Sequence, residues 1–590
     1  MQKEVVVEGG HRFVIDTTGQ NFALNSSEET ASGPLQHSLT NVLAGAKVVP
    51  MSVLGMKAKQ FDDGLYAAIE LLAQNGAGKF TGKVKLLGQL LQVLRGKASG
   101  ASDVIGAAGA LGRWLDAATL SDDAKRVATE FASSPLAKPI SFYTWSDSLQ
   151  AIFTQDRFLQ QKLERSDADA LVAAIGSHSG MQAAYCQYLE LMSKMTNRLQ
   201  GQSLAERLLH SAQYDPSLPE SFFPASGSKE DDLLGRSDID RPGFSLMDDF
   251  IAAIKDRKID LRPTSNSGWY EYCQYALEPL LVPERCPEWK MVKTANGYRK
   301  FAEQIFKSFY ALTRETHAKQ FSPAAYGCAP YPVSIYIKPE LRVEPLPSMY
   351  LRRAESYLFI RSVLMDLFGE QGLKDAYRLT AGGASQMPLL EELSRIEQLF
   401  FGAYLVACAD LDLPRFDQHN LNEQACVQQF FEFARNLTTD ADLSQNAIMM
   451  LPIYRDIRTG LTKVWVFLGW RPHGVLFSWA TQPRIISQNI NDSWKMRFAN
   501  YQAQLPEPRV SFGSNYFPVA VPVLHEIWVK DILNRAEMRE ICQAHSYIEG
   551  AILNHLDVRR ESSRNPTPPT AAGGSPPLEH KPLSWMDDNS

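Results

Sequence analysis

Between residues 446 and 480 the apolar residues change period. NAIMMLPIYRD, IRTG and LTKVWVFLGW read as strands around a turn at Gly460, whereas the preceding regions repeat mostly at helical spacing. A strand sends successive side chains to opposite faces and a helix repeats about every 3.6 residues, so separate blocks of each pattern require both elements. This predicts an α+β class: multidomain and predominantly helical, with an antiparallel β-sheet in the C-terminal half. GVLFSWA and NYFPVAVPV add strands, and Pro452, Pro518 and Pro522 favour edges or irregular positions. Trp465 and Phe467 share one strand face, where a core under covering helices accounts for them.

The chain has 590 residues and is 45% hydrophobic, enough for several domains. Composition divides it into six regions. Residues 1–39 hold short strands (Val5 to Val7, Arg12 to Ile15) and a loose polar segment from Gly19 to Gly33. Residues 40–215 are Ala/Gly-rich and helical, and 216–265 are a linker or long loop carrying a short helix through Leu246 to Ile254. Residues 266–445 are helical again, with a strand at Val333 to Ile337 and a central helix in LLEELSRIEQLFFGAYLVACADLDL. Residues 446–558 combine the sheet with a last helix, which starts at a capping box of Asn534 and Glu537. Residues 559–590 are rich in Pro and Gly, a composition that predicts a disordered tail.

The net charge of -6 argues against a nucleic-acid partner. MQKEVVVEGG has too short an apolar run for a signal peptide, and no stretch approaches the roughly 20 apolar residues that cross a bilayer. Seven scattered cysteines without a CxxC fit reduced thiols, so a cytoplasmic location is expected.

The sharpest functional lead is KVKLLGQLLQVLRGK. Its charges, Lys83, Lys85, Arg95 and Lys97, are all positive, and Leu87, Leu91 and Leu94 lie on an apolar stripe. A basic amphipathic helix suits a protein partner or an anionic membrane surface. GAGKFTGKV, which runs into it, is not a phosphate loop: its glycine spacing is wrong, and Val84 stands where a magnesium-binding hydroxyl belongs. GSHSG at Gly176 to Gly180 places His178 where a nucleophilic serine would sit, and reads as an inter-helix turn.

Catalytic candidates are fewer. Glu344, Glu355 and Glu391, with Glu392 and Glu397, converge if their helices pack together, giving an acid/base or divalent-metal site. Arg471 and His473 fall in a presumed turn beside the sheet, where a pocket can form. His545 and His555 are ten residues apart, about 15 Å along one continuous helix, so one metal cannot join them. Cys542 and His545 share a helix face but lack a third, orienting group. No metal site is specified and the cofactor is left open. The expected function is protein–protein or membrane-surface interaction. The alternative is a hydrolase or metal-assisted enzyme with an acidic or Arg/His-containing pocket.

Overall fold

The computed structural model describes residues 2–7, 11–16, 21–26, 35–41, 48–96, 100–209, 211–234, 245–290, 292–294, 296–317, 319, 341–411, 413–417, 419–445, 448–456, 459–480, 484–487, 515–546 and 548–557. The expected strand at Val333 to Ile337 and the tail 559–590 lie outside these residues, as does Lys97.

The helices in chain order are α1 (Met51–Asn75), α2 (Lys83–Leu94), α3 (Ala101–Leu111), α4 (Asp122–Ala132), α5 (Asp147–Leu159), α6 (Arg165–Gly176), α7 (Ser179–Met195), α8 (Ala205–Leu209) and α9 (Lys229–Leu234). They continue as α10 (Leu246–Lys255), α11 (Trp269–Leu281), α12 (Asn296–Thr316), α13 (Pro347–Lys374), α14 (Leu389–Leu411), α15 (Glu423–Arg435), α16 (Arg535–Ala544) and α17 (Glu549–Leu556). The strands are β1 (Gln2–Val7), β2 (His11–Asp16), β3 (Asn21–Ser26), β4 (Val292–Thr294), β5 (Tyr377–Thr380), β6 (Gly383–Pro388), β7 (Met449–Arg455), β8 (Thr462–Ala480), β9 (Arg484–Ser487) and β10 (Asn515–Val529). The chain is a predominantly helical, multidomain α+β protein, as its periodicity requires.

Helix α1 is the axis of the helical body. It is buried on nearly every side, which suits its small and apolar stretch LYAAIELLA. It ends where Gly76 adopts φ 86° and returns its N–H to Leu72 O. Helix α14 is buried over most of its surface and packs on both α13 and α15. The α14–α15 approach is close because Gly402 has no side chain: a Cβ there would lie 2.1 Å from Cys426 O.

Strand β8 organises the main sheet. Along one edge it pairs antiparallel with β10. Along the other it pairs with β7 through Thr462 to Phe467 and with β3 through Val475 to Ala480. Strand β4 joins β3 in parallel. A separate sheet has the order β1-β2-β9, and β5-β6 form a hairpin.

Two readings of these segments change. Asn21 to Ser26, expected to be loose, is strand β3, whose partner lies about 450 residues further along the chain. Arg471 to Gly474, expected to be a turn, lies inside β8. Pro472 is tolerated because the register leaves it between the β7-paired and β3-paired segments of that edge. Between those segments Gln36 bridges Trp470, with N···O distances of 2.6 and 2.8 Å. Gly469, at φ 127°, makes room for it, since a Cβ would sit 2.2 Å from Gln36 O.

The alternation along β8 sorts its side chains between two cores. Trp465 and Phe467 face the large cluster of the helical body. Val464, Val466 and Leu468 face a smaller cluster with Met538, Cys542, Ile552 and Leu556 of α16 and α17. The sheet is therefore a middle layer, with helices on both faces.

The predicted capping box is present: Asn534 Oδ1 accepts from Ala536 and Glu537 N–H, and Glu537 accepts from Asn534 N–H. The helix it starts is not continuous. It stops at His545 and restarts at Glu549. The break folds α17 back so that the His545 and His555 rings lie 5.4 Å apart, centroid to centroid.

Candidate functional site

A cavity of about 280 Å³ opens where the helical body meets the edge of β7. The 3-10 turn Pro135–Ala137 forms one wall, started by Ser134, whose hydroxyl accepts from Leu136 N–H. Helix α5 contributes Phe153 and Arg157, strand β7 contributes Leu451 to Arg455, and Ile532 closes the far side. Lys138 ties the rim to the start of α16, at 2.7 Å from Ile532 O and 2.9 Å from Glu537.

The lining is mostly apolar and, among the described residues, carries four cations (Lys138, Arg157, Arg314 and Arg455) and no acidic residue. Arg314 is buried and neutralised, at 2.5 Å from Glu230 and 3.0 Å from Asp231. Burial, with the neighbouring Glu230 charge, pushes the Asp231 carboxyl up to about 6 against the pull of Arg314. Arg157 is half-buried and has no carboxylate partner among the described residues. Its Nη1 donates to Gln160 Oε1 and to Lys319 O, each at 3.0 Å. Burial pushes its guanidinium below the usual value, with no acid to offset the effect. Arg455 is exposed at the mouth.

Behind the cavity lies a set of buried ion pairs. Lys319 bridges Glu70 (2.5 Å) and Asp156 (2.8 Å), and Asp156 also accepts from Lys83. Lys59 and Arg535 share Asp63 and Glu315 at 2.5 to 2.9 Å. Arg353 donates to Asp62 and lies 2.7 Å from Cys273 Sγ. Burial lifts the Asp62 carboxyl to about 6 and the Cys273 thiol to about 12. Each charge in this lattice has a partner, so it serves as support for the fold and leaves no reactive group free.

The predicted interaction helix is placed differently from its expectation. Leu87 and Leu94 are completely buried, Leu91 is partly buried, and Lys83 is buried in its contact with Asp156. Only Lys85 and Arg95 of its described cations are exposed. The stripe that was to meet a partner meets α3, α6 and α7 of the same chain.

The glutamates do not converge; each has its own local task. Glu344 is fully buried and accepts from Tyr298 and from Met51 N (2.8 Å), capping the start of α1. Glu355 is half-exposed and 4.0 Å from His419, and Glu391 pairs with Arg395 on the surface of α14. Glu392 and Glu397 pair with Arg378 and Arg361. Arg471 pairs with Glu549, which also contacts His525. His473 is a strand position opposite Val519, and its side chain lies outside the described residues.

Among the described residues no three His, Cys, Asp or Glu side chains assemble as metal ligands, so the His545–His555 pair lacks a third donor. Burial raises the Cys542 thiol to about 11, against a thiolate role. Ser177 Oγ and His178 Nδ1 are 2.8 Å apart in the α6–α7 connection, as its sequence implied. No helix among the described residues is long and apolar enough to cross a membrane.

The sequence reading missed Arg157 and the ionic lattice. A signal was available: Leu149, Ile152, Phe153 and Asp156 fall at i, i+3, i+4 and i+7, so helical period places a carboxylate on the apolar stripe of α5. A buried carboxylate implies cations beside it. No known family, curated protein or solved structure matches this chain.

Proposed function

We propose that this chain is a binding protein, and that its ligand enters the cavity between α5 and β7. This replaces the protein–protein or membrane-surface role expected of α2 with small-ligand binding in the cavity. One observation carries the reading: an apolar, open cavity has cations in its walls and no acid among its described lining residues. Pockets of this kind, apolar with a few placed polar groups, suit small-molecule capture.

Ligand-observed NMR with a mixture of small apolar fragments of differing charge tests this. Leu136 lies on the rim and is 46% exposed, so Leu136→Trp narrows the mouth without disturbing the core. Fragments are expected to contact the native chain and to lose contact in this variant, with thermal melting unchanged. Equal signals from both proteins would overturn the reading.

A further inference from the structure

We propose that the ligand of this cavity is an apolar monocarboxylate whose head group docks on the Nε/Nη2 edge of Arg157. The inference rests on the binding role above and names its chemistry. Among the described residues eight Lys and Arg side chains are buried: Lys59, Lys83, Arg314, Lys319, Arg352, Arg353, Arg378 and Arg535. Every one has a carboxylate within 3.0 Å. Arg157 is half-buried in the wall of an apolar cavity and, unlike these eight, has no acid beside it among the described residues. A cation taken from water without a counter-ion is costly, and an anionic ligand would remove that cost.

The hydrogen bonds already made select the binding edge. Nη1 is occupied by Gln160 and Lys319 O, while Nε and Nη2 have no partner among the described residues. Those two atoms form one edge of the planar guanidinium and carry parallel N–H groups, the side-on fork that fits the two oxygens of a carboxylate.

The charge count selects a monoanion. Arg314 and Lys138 are already neutralised by their own carboxylates. Arg455 sits at the mouth, where water screens it. Among the described residues one cation is left for the ligand inside the cavity, so a dianion such as a phosphate monoester would keep half its charge uncompensated. The remaining walls, including Ile140, Phe153, Leu451 and Ile453, suit a hydrocarbon body. A cavity of about 280 Å³ is small for a ligand site, which favours a short or medium chain.

Calorimetric titration of the full chain with octanoate, octan-1-ol and octylamine tests the inference, because the three share a body and differ in the head. Octanoate is expected to bind at least about tenfold more tightly than octan-1-ol, and octylamine most weakly. Arg157→Met should erase the preference for octanoate while octan-1-ol still binds. Arg157→Lys should keep part of it, since charge remains but the fork is lost. Arg455→Gln should change octanoate binding little. If octanoate and octan-1-ol bind the native chain equally, the carboxylate inference falls and the binding role stands. If none of the three binds, and the fragment mixture is also silent, the binding role falls with it. A preference that survives in Arg157→Met, in a variant with native melting behaviour, places the head group elsewhere and overturns the assignment.

Discussion

Asp156 shows how much of this fold depends on single charges. It lies on the apolar face of α5 and accepts from both Lys83 and Lys319, which hold its carboxyl below the usual range. The two lysines are not equivalent. Lys319 also has Glu70, and among the described residues Lys83 has only Asp156 as an ion-pair partner. Removing Lys83 leaves Asp156 paired, whereas removing Asp156 strands Lys83 in a dry interior. Replacing both members of a buried ion pair by apolar groups of similar shape is often close to neutral, while removing one and leaving its partner unpaired costs about 3–5 kcal/mol. Lys83→Met is therefore expected to cost less than Asp156→Ala, because Asp156 keeps Lys319. Asp156→Ala should cost about 3–5 kcal/mol, both measured by urea unfolding. Equal losses would mean that Lys83 matters for more than this pair. In the sequence Lys83 read as the first charge of an exposed basic face. Positive charge near an apolar stripe is common to surface helices and to buried ion pairs, and only the partner distinguishes them. That partner is 73 residues away.

At the scale of elements, legibility followed the range of the cause. The capping box at Asn534 and the alternation of β7 and β8 are set by neighbours within a few residues, and both stand. Strand β3 is set by a pairing with β8 across most of the chain, and its polar sequence gave no sign of it. The break between α16 and α17 escaped for a similar reason. The apolar period continues through it, but Ser546 adopts φ 50° and α17 turns back onto the sheet. Two glycines make the local and the long-range case testable together. Gly88 lies inside α2 with nothing within 4 Å of where a Cβ would be. Gly88→Ala should stabilise the chain by about 0.5–1 kcal/mol through helix propensity alone. Gly402 lies inside α14 against the backbone of Cys426. Gly402→Ala gains the same propensity but forces α15 away, for a net cost of about 1–3 kcal/mol. Thermal melts of the two variants should move in opposite directions. A Gly402→Ala melt at or above the native one would show that the α14–α15 contact is looser than its geometry requires.

For the whole molecule, the central question is what fixes the sheet layer and α16 to the helical body. Arg535, the first residue of α16, passes out of the smaller core's helix and into the body, where it meets Asp63 of α1 and Glu315 of α12. Lys59 completes the group, so two cations face two carboxylates with almost no solvent. Glu315 is pulled down from 4.5 to about 2: burial opposes this, but Arg535 and Lys59 outweigh it. The folded protein thus binds a proton at Glu315 less readily than the unfolded chain. Its contribution is complete above about pH 4.5 and is lost as the pH falls towards 2, an effect on the order of 3 kcal/mol. Arg535→Met removes the largest attraction on Glu315 while Lys59 and burial remain. The Glu315 carboxyl should then rise, and the proton-linked loss between about pH 4.5 and 3 should shrink. At neutral pH the variant should be less stable by about 3–5 kcal/mol, because two buried carboxylates are left with one lysine. Urea unfolding of both proteins from neutral to acid pH measures the two effects separately. A variant destabilised at neutral pH with an unchanged acid limb would show that Arg535 acts by packing and not through Glu315. A variant that also unfolds in two steps, α16 with the sheet before the helical body, would locate the coupling of the two cores in this one side chain.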